Sequence, residues 1–296
     1  MRQRLFNRAQ QRNEDFNYVL TRYAIERLLY RLSRSACADS FILKGATLFE
    51  IWSNTPHRST RDVDLLGSGD SAIEHIEELF RNVCAGQVEP DGLTSDPSSV
   101  RGMIIREDEA YDRVRIKLRA DLGDAHIGVQ VDVGFGDAVT PSPQNVELPT
   151  MLEFPPAVLK AYPPETVIAE KFEAMVSLGI ANSRLKDFYD VAVLSRGKEF
   201  EGATLSEAIG ATFRRRGTVI PTTPPLALTT EFASDIGKRR QWSAFVSKLG
   251  GSANGESFEI TLGQLERFLM PPSVAAALRH SFTSHWAYET GWIDDR

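Results

Sequence analysis

Apolar side chains return at helical spacing through residues 16–32, where Tyr18, Val19, Leu20, Tyr23, Ile25, Leu28, Leu29 and Leu32 predict an amphipathic N-terminal helix. Phe41, Ile42 and Leu43 then form a short apolar run that stops at Gly45, and residues 46–52 read as a helix directly behind a glycine turn. Asp62, Val63, Asp64, Leu65 and Leu66 predict a strand, followed by a Gly/Ser turn and a helix over residues 72–83. From Arg113 the period switches to two. Val114, Ile116 and Leu118 alternate with Arg115, Lys117 and Arg119, and beyond a turn at Gly123 come Ile127, Val129, Val131 and Val133. Two antiparallel neighbours in one sheet are expected.

Between Pro141 and Pro164 the pattern breaks, with Pro143, Pro149, Pro155, Pro156 and Pro163 inside the stretch, a composition that resists regular structure. A domain boundary is placed there. Residues 1–160 are expected to form an N-terminal helix plus an α/β core, and residues 161–296 a helical C-terminal domain. Within the latter, residues 165–178 and 184–195 read as helices, and Pro221, Pro224 and Pro225 precede further ones.

Composition changes this picture little. With 296 residues, 42% of them hydrophobic and 25% charged, the chain can bury one large or two modest cores. Its two cysteines, Cys37 and Cys84, form no CxxC pair, which disfavours a disulfide framework or zinc ribbon and fits a reducing cytoplasm. No apolar run approaches the ~18 residues of a membrane span, so no membrane partner is expected. The five histidines show no HExxH spacing, and no GxSxG element announces a nucleophile. Net charge of −6 gives no global attraction for nucleic acid. Arg2, Arg4, Arg8, Arg12, Arg22, Arg27, Arg31 and Arg34 nevertheless crowd the N-terminal stretch, and the plainer reading of them is a solvated helical face. The runs Arg214, Arg215, Arg216 and Lys238, Arg239, Arg240 fit either an RNA backbone contact or solvent.

The chemistry concentrates in Lys44, Gly45, Ala46, Thr47 and, a helix length later, the run from Arg58 to Asp64. A glycine at a helix start lets backbone N–H groups approach a phosphate, and the helix dipole adds positive potential there. Asp62 and Asp64, two apart on a strand, project from one face while Val63 and Leu65 face the core. Like charges so close call for a counterion, and Mg²⁺ prefers carboxylate and phosphate oxygens. Asp132 points away from the apolar face of its strand. If that strand lies beside the one carrying Asp62 and Asp64, the three carboxylates could hold two ions about 3.5 to 4 Å apart, with Asp132 near an attacking hydroxyl. The reaction implied is in-line attack on the α-phosphate of a nucleoside triphosphate. Lys44, Arg58 and Lys171 are candidates for the phosphates. Arg184, Asp187 and Asp190 share one face of the next predicted helix, and Asp187 could orient Lys171 or Arg58. A lone DxD pair is common on surfaces. Here a glycine turn, Arg58 and a strand carboxylate accompany it in order.

In those residues, together with Gly134, Phe135, Gly136, Asp137 after the Asp132 strand, Ala169, Glu170, Lys171, and Arg184, Leu185, Lys186, Asp187, the chain resembles the AbiEii family of type IV toxin-antitoxin systems. The resemblance covers about residues 41–194. It implies an α/β (α+β) fold, with a polymerase-beta-like nucleotidyltransferase core on a mixed sheet, an N-terminal helix and a helical C-terminal domain. It further implies that Gly45 and Thr47 line the nucleotide phosphates, Asp62 and Asp64 bind metal, Lys171 binds the triphosphate and Asp187 completes the site. Asp132 would be the third carboxylate. Members with an assigned activity transfer nucleotides from triphosphates, some to the 3′ end of tRNA, which blocks translation, and an antitoxin restrains them. Ala46 stands where the family often has a second glycine. Two alternatives remain at this point: transfer of a nucleotide to a protein hydroxyl, and a nucleotide-binding regulator without catalysis.

Overall fold

The computed structural model describes residues 1–52, 60–105, 113–249 and 257–294. They form two compact units, Met1–Asp137 with Gln144–Tyr162, and Ala138–Pro143 with Pro163–Arg296.

The first unit begins with α1 (Arg2–Arg12), a helix that the sequence reading did not expect because its only buried side chains are Leu5 and Ala9, one turn apart. Helix α2 (Phe16–Ser33) follows, and the Asp15 carboxylate accepts from the Tyr18 N–H at 2.8 Å to cap its first turn. Strand β1 (Phe41–Lys44) leads through Gly45 into a 3-10 turn, Ala46–Leu48, and then α3 (Phe49–Trp52), where a single α-helix was expected from residue 46. Next come β2 (Asp62–Gly67), α4 (Ile73–Ala85), β3 (Thr94–Ile105), β4 (Arg113–Leu122), β5 (Ala125–Phe135), β6 (Gln144–Glu147) and β7 (Val158–Ala161).

These seven strands make one mixed sheet in the order β3-β4-β5-β2-β1-β7-β6. The β4–β5 hairpin turns at Gly123, whose φ of 60° suits glycine, and closes on the pair Leu122 and Ala125. β5 runs parallel to β2, β2 antiparallel to β1, and β1 parallel to β7. Val63, Leu65, Ile116, Val129, Val131 and Val133 are buried, and helix α2 packs on β5 while α4 packs on β3 and β4.

Two expectations fail in this unit. The proline-rich stretch holds β6 and β7, paired with each other and, through Leu43 and Ala161, with β1. Its prolines punctuate the strands instead of interrupting them: Pro141 and Pro143 precede β6, Pro149, Pro155 and Pro156 lie between β6 and β7, and Pro164 starts the next helix. The arginines of α2 are not a solvated face either. Arg27 and Arg31 are buried and meet Asp91, with Arg27 Nε and Arg31 Nη1 each 2.8 Å from Asp91 Oδ2. Burial alone would raise the Asp91 carboxyl, but hydrogen bonds from Arg31 and Arg27 hold it below the usual carboxylate range.

The second unit contains α5 (Pro164–Leu178), α6 (Leu185–Gly197), β8 (Phe200–Glu201), α7 (Gly202–Arg216), α8 (Thr230–Ser234), α9 (Ile236–Lys248), α10 (Phe258–Leu278), β9 (His285–Ala287) and β10 (Gly291–Ile293). Phe172, Phe188, Phe213, Phe268 and Trp286 are among its fully buried side chains. The small sheet β10-β9-β8 was not expected, since strands of two or three residues carry no readable period. Trp286 anchors it by donating from Nε1 to the Ser195 carbonyl at 2.7 Å. Of the basic runs, Lys238 is buried and donates to the Asn182 carbonyl, and Arg216 pairs with Glu173 at 2.7 Å, so neither run is wholly a surface grip. Among the described residues no helix is long and apolar enough to cross a membrane.

Candidate active site

In the first unit the sheet assembles charges that the sequence scatters over 90 residues or so. Register places Lys44 of β1 opposite Asp64 of β2, Asp64 opposite Asp132 of β5, and Asp132 opposite Arg115 of β4. Paired residues on neighbouring strands project from the same face. The result is a row across four strands, Arg115, Asp132, Asp64, Lys44, in which two anions lie between two cations. Asp62 joins the row from the same face of β2, because Val63 between them is turned into the core.

Each member has a defined environment. Asp132 is buried and gives both carboxylate oxygens to Arg115, Oδ1 accepting from Nε at 2.8 Å and Oδ2 from Nη2 at 2.7 Å. Lys44 is also buried, and its ammonium donates to Asp137 at 2.7 Å and lies 3.4 Å from the Tyr162 hydroxyl. Asp62 accepts from the Thr60 hydroxyl at 2.7 Å. Burial pushes the Asp64 carboxyl up to about 6, the negative charges of Asp62 and Asp132 add to the rise, and Lys44 and Arg113 oppose it.

Gly45 explains why Asp64 can sit so close to the turn after β1. Its φ of 77° lies in the region that favours glycine, and a Cβ there would stand 2.1 Å from Asp64 Oδ2. The glycine expected to admit a phosphate is thus also the residue that admits the carboxylate. Thr47 is buried in the 3-10 turn behind it. Arg58 lies outside the described residues.

In the second unit Lys171 of α5 reaches two carboxylates of α6, Asp187 at 2.5 Å and Asp190 at 2.8 Å. Both aspartates are buried, Asp190 completely. The plain alternative of a surface pair between Lys186 and Asp190 is therefore set aside. Arg184 is the residue that precedes the first turn of α6.

The structure thus brings Lys44, Gly45, Asp62, Asp64 and Asp132 together in one unit, and Lys171 with Asp187 in the other. Among the described residues no three acidic, histidine or cysteine side chains gather closely enough to hold one metal ion. Asp132 shares the row with Asp64, but its carboxylate is turned to Arg115. Arg115 was read only as a polar position in an alternating strand. A signal for its role was present: from a two-residue turn after Leu122, counting back along both strands pairs residue 115 with residue 132.

Comparison with known proteins places most of the chain in one family. The family model described as nucleotidyl transferase AbiEii toxin, type IV TA system, matches residues 27–264. No curated protein matches the chain. Among solved structures, JHP933 from Helicobacter pylori is 15% identical with a TM-score of 0.47, covering 86% of this chain and 89% of its own. A candidate nucleotidyltransferase from H. pylori is 16% identical with a TM-score of 0.44, covering 86% of this chain and 92% of its own.

Proposed function

Because the chain belongs to the AbiEii family of nucleotidyl transferase toxins of type IV toxin-antitoxin systems, we propose that it is a Mg²⁺-dependent enzyme that transfers a nucleotide from a nucleoside triphosphate to the 3′ end of tRNA in the cytoplasm, and that a cognate antitoxin restrains it. The observation that supports this most is Asp64. It is a carboxylate pressed against Gly45 between two other acids, with its proton held up to about pH 6 by burial and those charges.

The donor set fits a hard divalent cation, because Asp62 and Asp64 offer carboxylate oxygens from one strand face and their mutual repulsion is what a cation would relieve. Mg²⁺ held there would screen the triphosphate and stabilise the departing pyrophosphate. The chain's own residues have separate tasks in this reading. Thr60 fixes the Asp62 carboxylate by its hydroxyl, and Gly45 leaves room for Asp64 at the turn. Lys171, held between Asp187 and Asp190, presents a localised positive charge to the triphosphate, and those two carboxylates fix its position. Asp132, whose two oxygens accept from Arg115 in this structure, would take the proton of the acceptor hydroxyl once freed of that contact.

Incubation of the pure protein with Mg²⁺, each labelled triphosphate in turn, and total RNA or total cell protein tests this reading. Label is expected on RNA, at tRNA length, with at least a 100-fold loss in Asp64→Ala. Label confined to protein would overturn the acceptor, and bound triphosphate without transfer to either fraction would overturn the activity.

A further inference from the structure

We propose that Arg115 is a latch on the third carboxylate: it holds Asp132 out of the cation site, so that the resting protein takes one divalent ion through Asp62 and Asp64 and gains a second only when Arg115 lets go. This rests on the reading of Asp62 and Asp64 as cation ligands given above.

Three observations carry it. Arg115 and Asp132 are register partners on adjacent strands, so the hairpin itself aims one at the other. The contact is bidentate, at 2.8 and 2.7 Å, and therefore occupies both carboxylate oxygens that Asp132 could offer an ion. Asp132 is also the register partner of Asp64, yet no three acidic side chains among the described residues gather to hold an ion. Strand pairing thus brings the third carboxylate to the site while the guanidinium keeps its oxygens elsewhere. A guanidinium and a divalent cation compete for the same atoms, and the charge-assisted pair, with Asp132 buried, is strong enough to make that competition matter. Arg115 is on this reading a positioning residue. It acts through Asp132, and the number of ions bound is the property that it controls.

Titration of the full chain with Mn²⁺, reading free Mn²⁺ by electron paramagnetic resonance and without nucleotide, tests the latch. Wild type is expected to bind one ion. Arg115→Gln, which removes the charge and keeps most of the volume, is expected to bind two, and adding Asp132→Asn to it should return the number to one. Arg115→Lys keeps a cation but loses the fork, so its second ion should bind with affinity at least tenfold below that in Arg115→Gln. Should Arg115→Gln fail to fold by circular dichroism, Arg115→Lys against wild type decides the matter, and a second ion absent there overturns the latch. Two ions in wild type, or one in Arg115→Gln, would also overturn it. Absence of any Mn²⁺ binding that Asp64→Ala removes would instead show that the assignment of Asp62 and Asp64 is at fault, and the latch would fall with it.

Discussion

A methyl group at Gly45 would have to occupy space already filled by Asp64 Oδ2, and it would impose a side chain on a backbone at φ 77°. With ψ at −157° the backbone lies in a region that is essentially glycine's alone, at a cost of about 1 to 3 kcal/mol for any other residue, and the clash cannot be relieved without moving the carboxylate. Gly45→Ala is therefore expected to lower Mn²⁺ affinity at least tenfold, measured by the same titration, while the far-ultraviolet spectrum keeps its folded form; unchanged affinity would mean that Asp64 has freedom the structure does not show. Glu26 gives a second case at this scale. Burial raises its carboxyl to about 7, although the Met151 N–H donates to it at 2.7 Å and Arg27, Arg22 and Arg8 pull it down. Its folded value lies above the ordinary 4.5, so the folded state holds the proton that the unfolded state has released. Stability falls as pH rises between those values and is level above about 7, a loss of about 3 kcal/mol in total. Glu26→Gln keeps an acceptor for Met151 and removes the charge. It is expected to flatten this slope and to melt higher than wild type at pH 8; a variant that melts lower at pH 8 would show that the arginines stabilise the ionised form.

The elements divide their polar pairs between structure and chemistry, and the α5–α6 pair illustrates it. Lys171 is held by both Asp187 and Asp190, but Asp190 is the more deeply buried of the two. Removing one partner of a buried ion pair costs about 3 to 5 kcal/mol. Asp190→Ala is expected to lose stability on that scale in urea melts, whereas Asp187→Asn should change stability by less than about 1 kcal/mol and lower transfer at least tenfold. The opposite ranking would assign the chemistry to Asp190. At this scale the sequence was most legible where a period was long and uninterrupted: α2, α4, α5, α6 and the β4–β5 hairpin lie where the spacing of Leu, Val and Ile put them. It was least legible in α1, whose burial rests on Leu5 and Ala9, in β3, which bends around Pro97 with a register shift between Asp96 and Arg101, and in β6 and β7, flanked by prolines.

Over the whole molecule the proposed tasks fall to different units, metal to Asp62 and Asp64 in the first and triphosphate to Lys171 in the second. Lys171→Ala is accordingly expected to abolish transfer and growth inhibition while leaving Mn²⁺ stoichiometry at the wild-type value, and Asp64→Ala to remove both; loss of the ion in Lys171→Ala would contradict this division. The sequence by itself determined the family, the mixed α/β character, the shared face of Asp62 and Asp64, and the glycine turn before them, because each depends on residues close along the chain or on a period that a short window contains. Only the tertiary structure decided which charge meets which: Arg115 with Asp132, Lys44 with Asp137, Arg27 and Arg31 with Asp91, and Lys171 with both Asp187 and Asp190. A charged side chain looks the same in sequence whether solvent or a buried partner neutralises it. The choice is made by strand register and helix packing, which bring the partner from 16 to 93 residues away and exclude the water that would otherwise take its place.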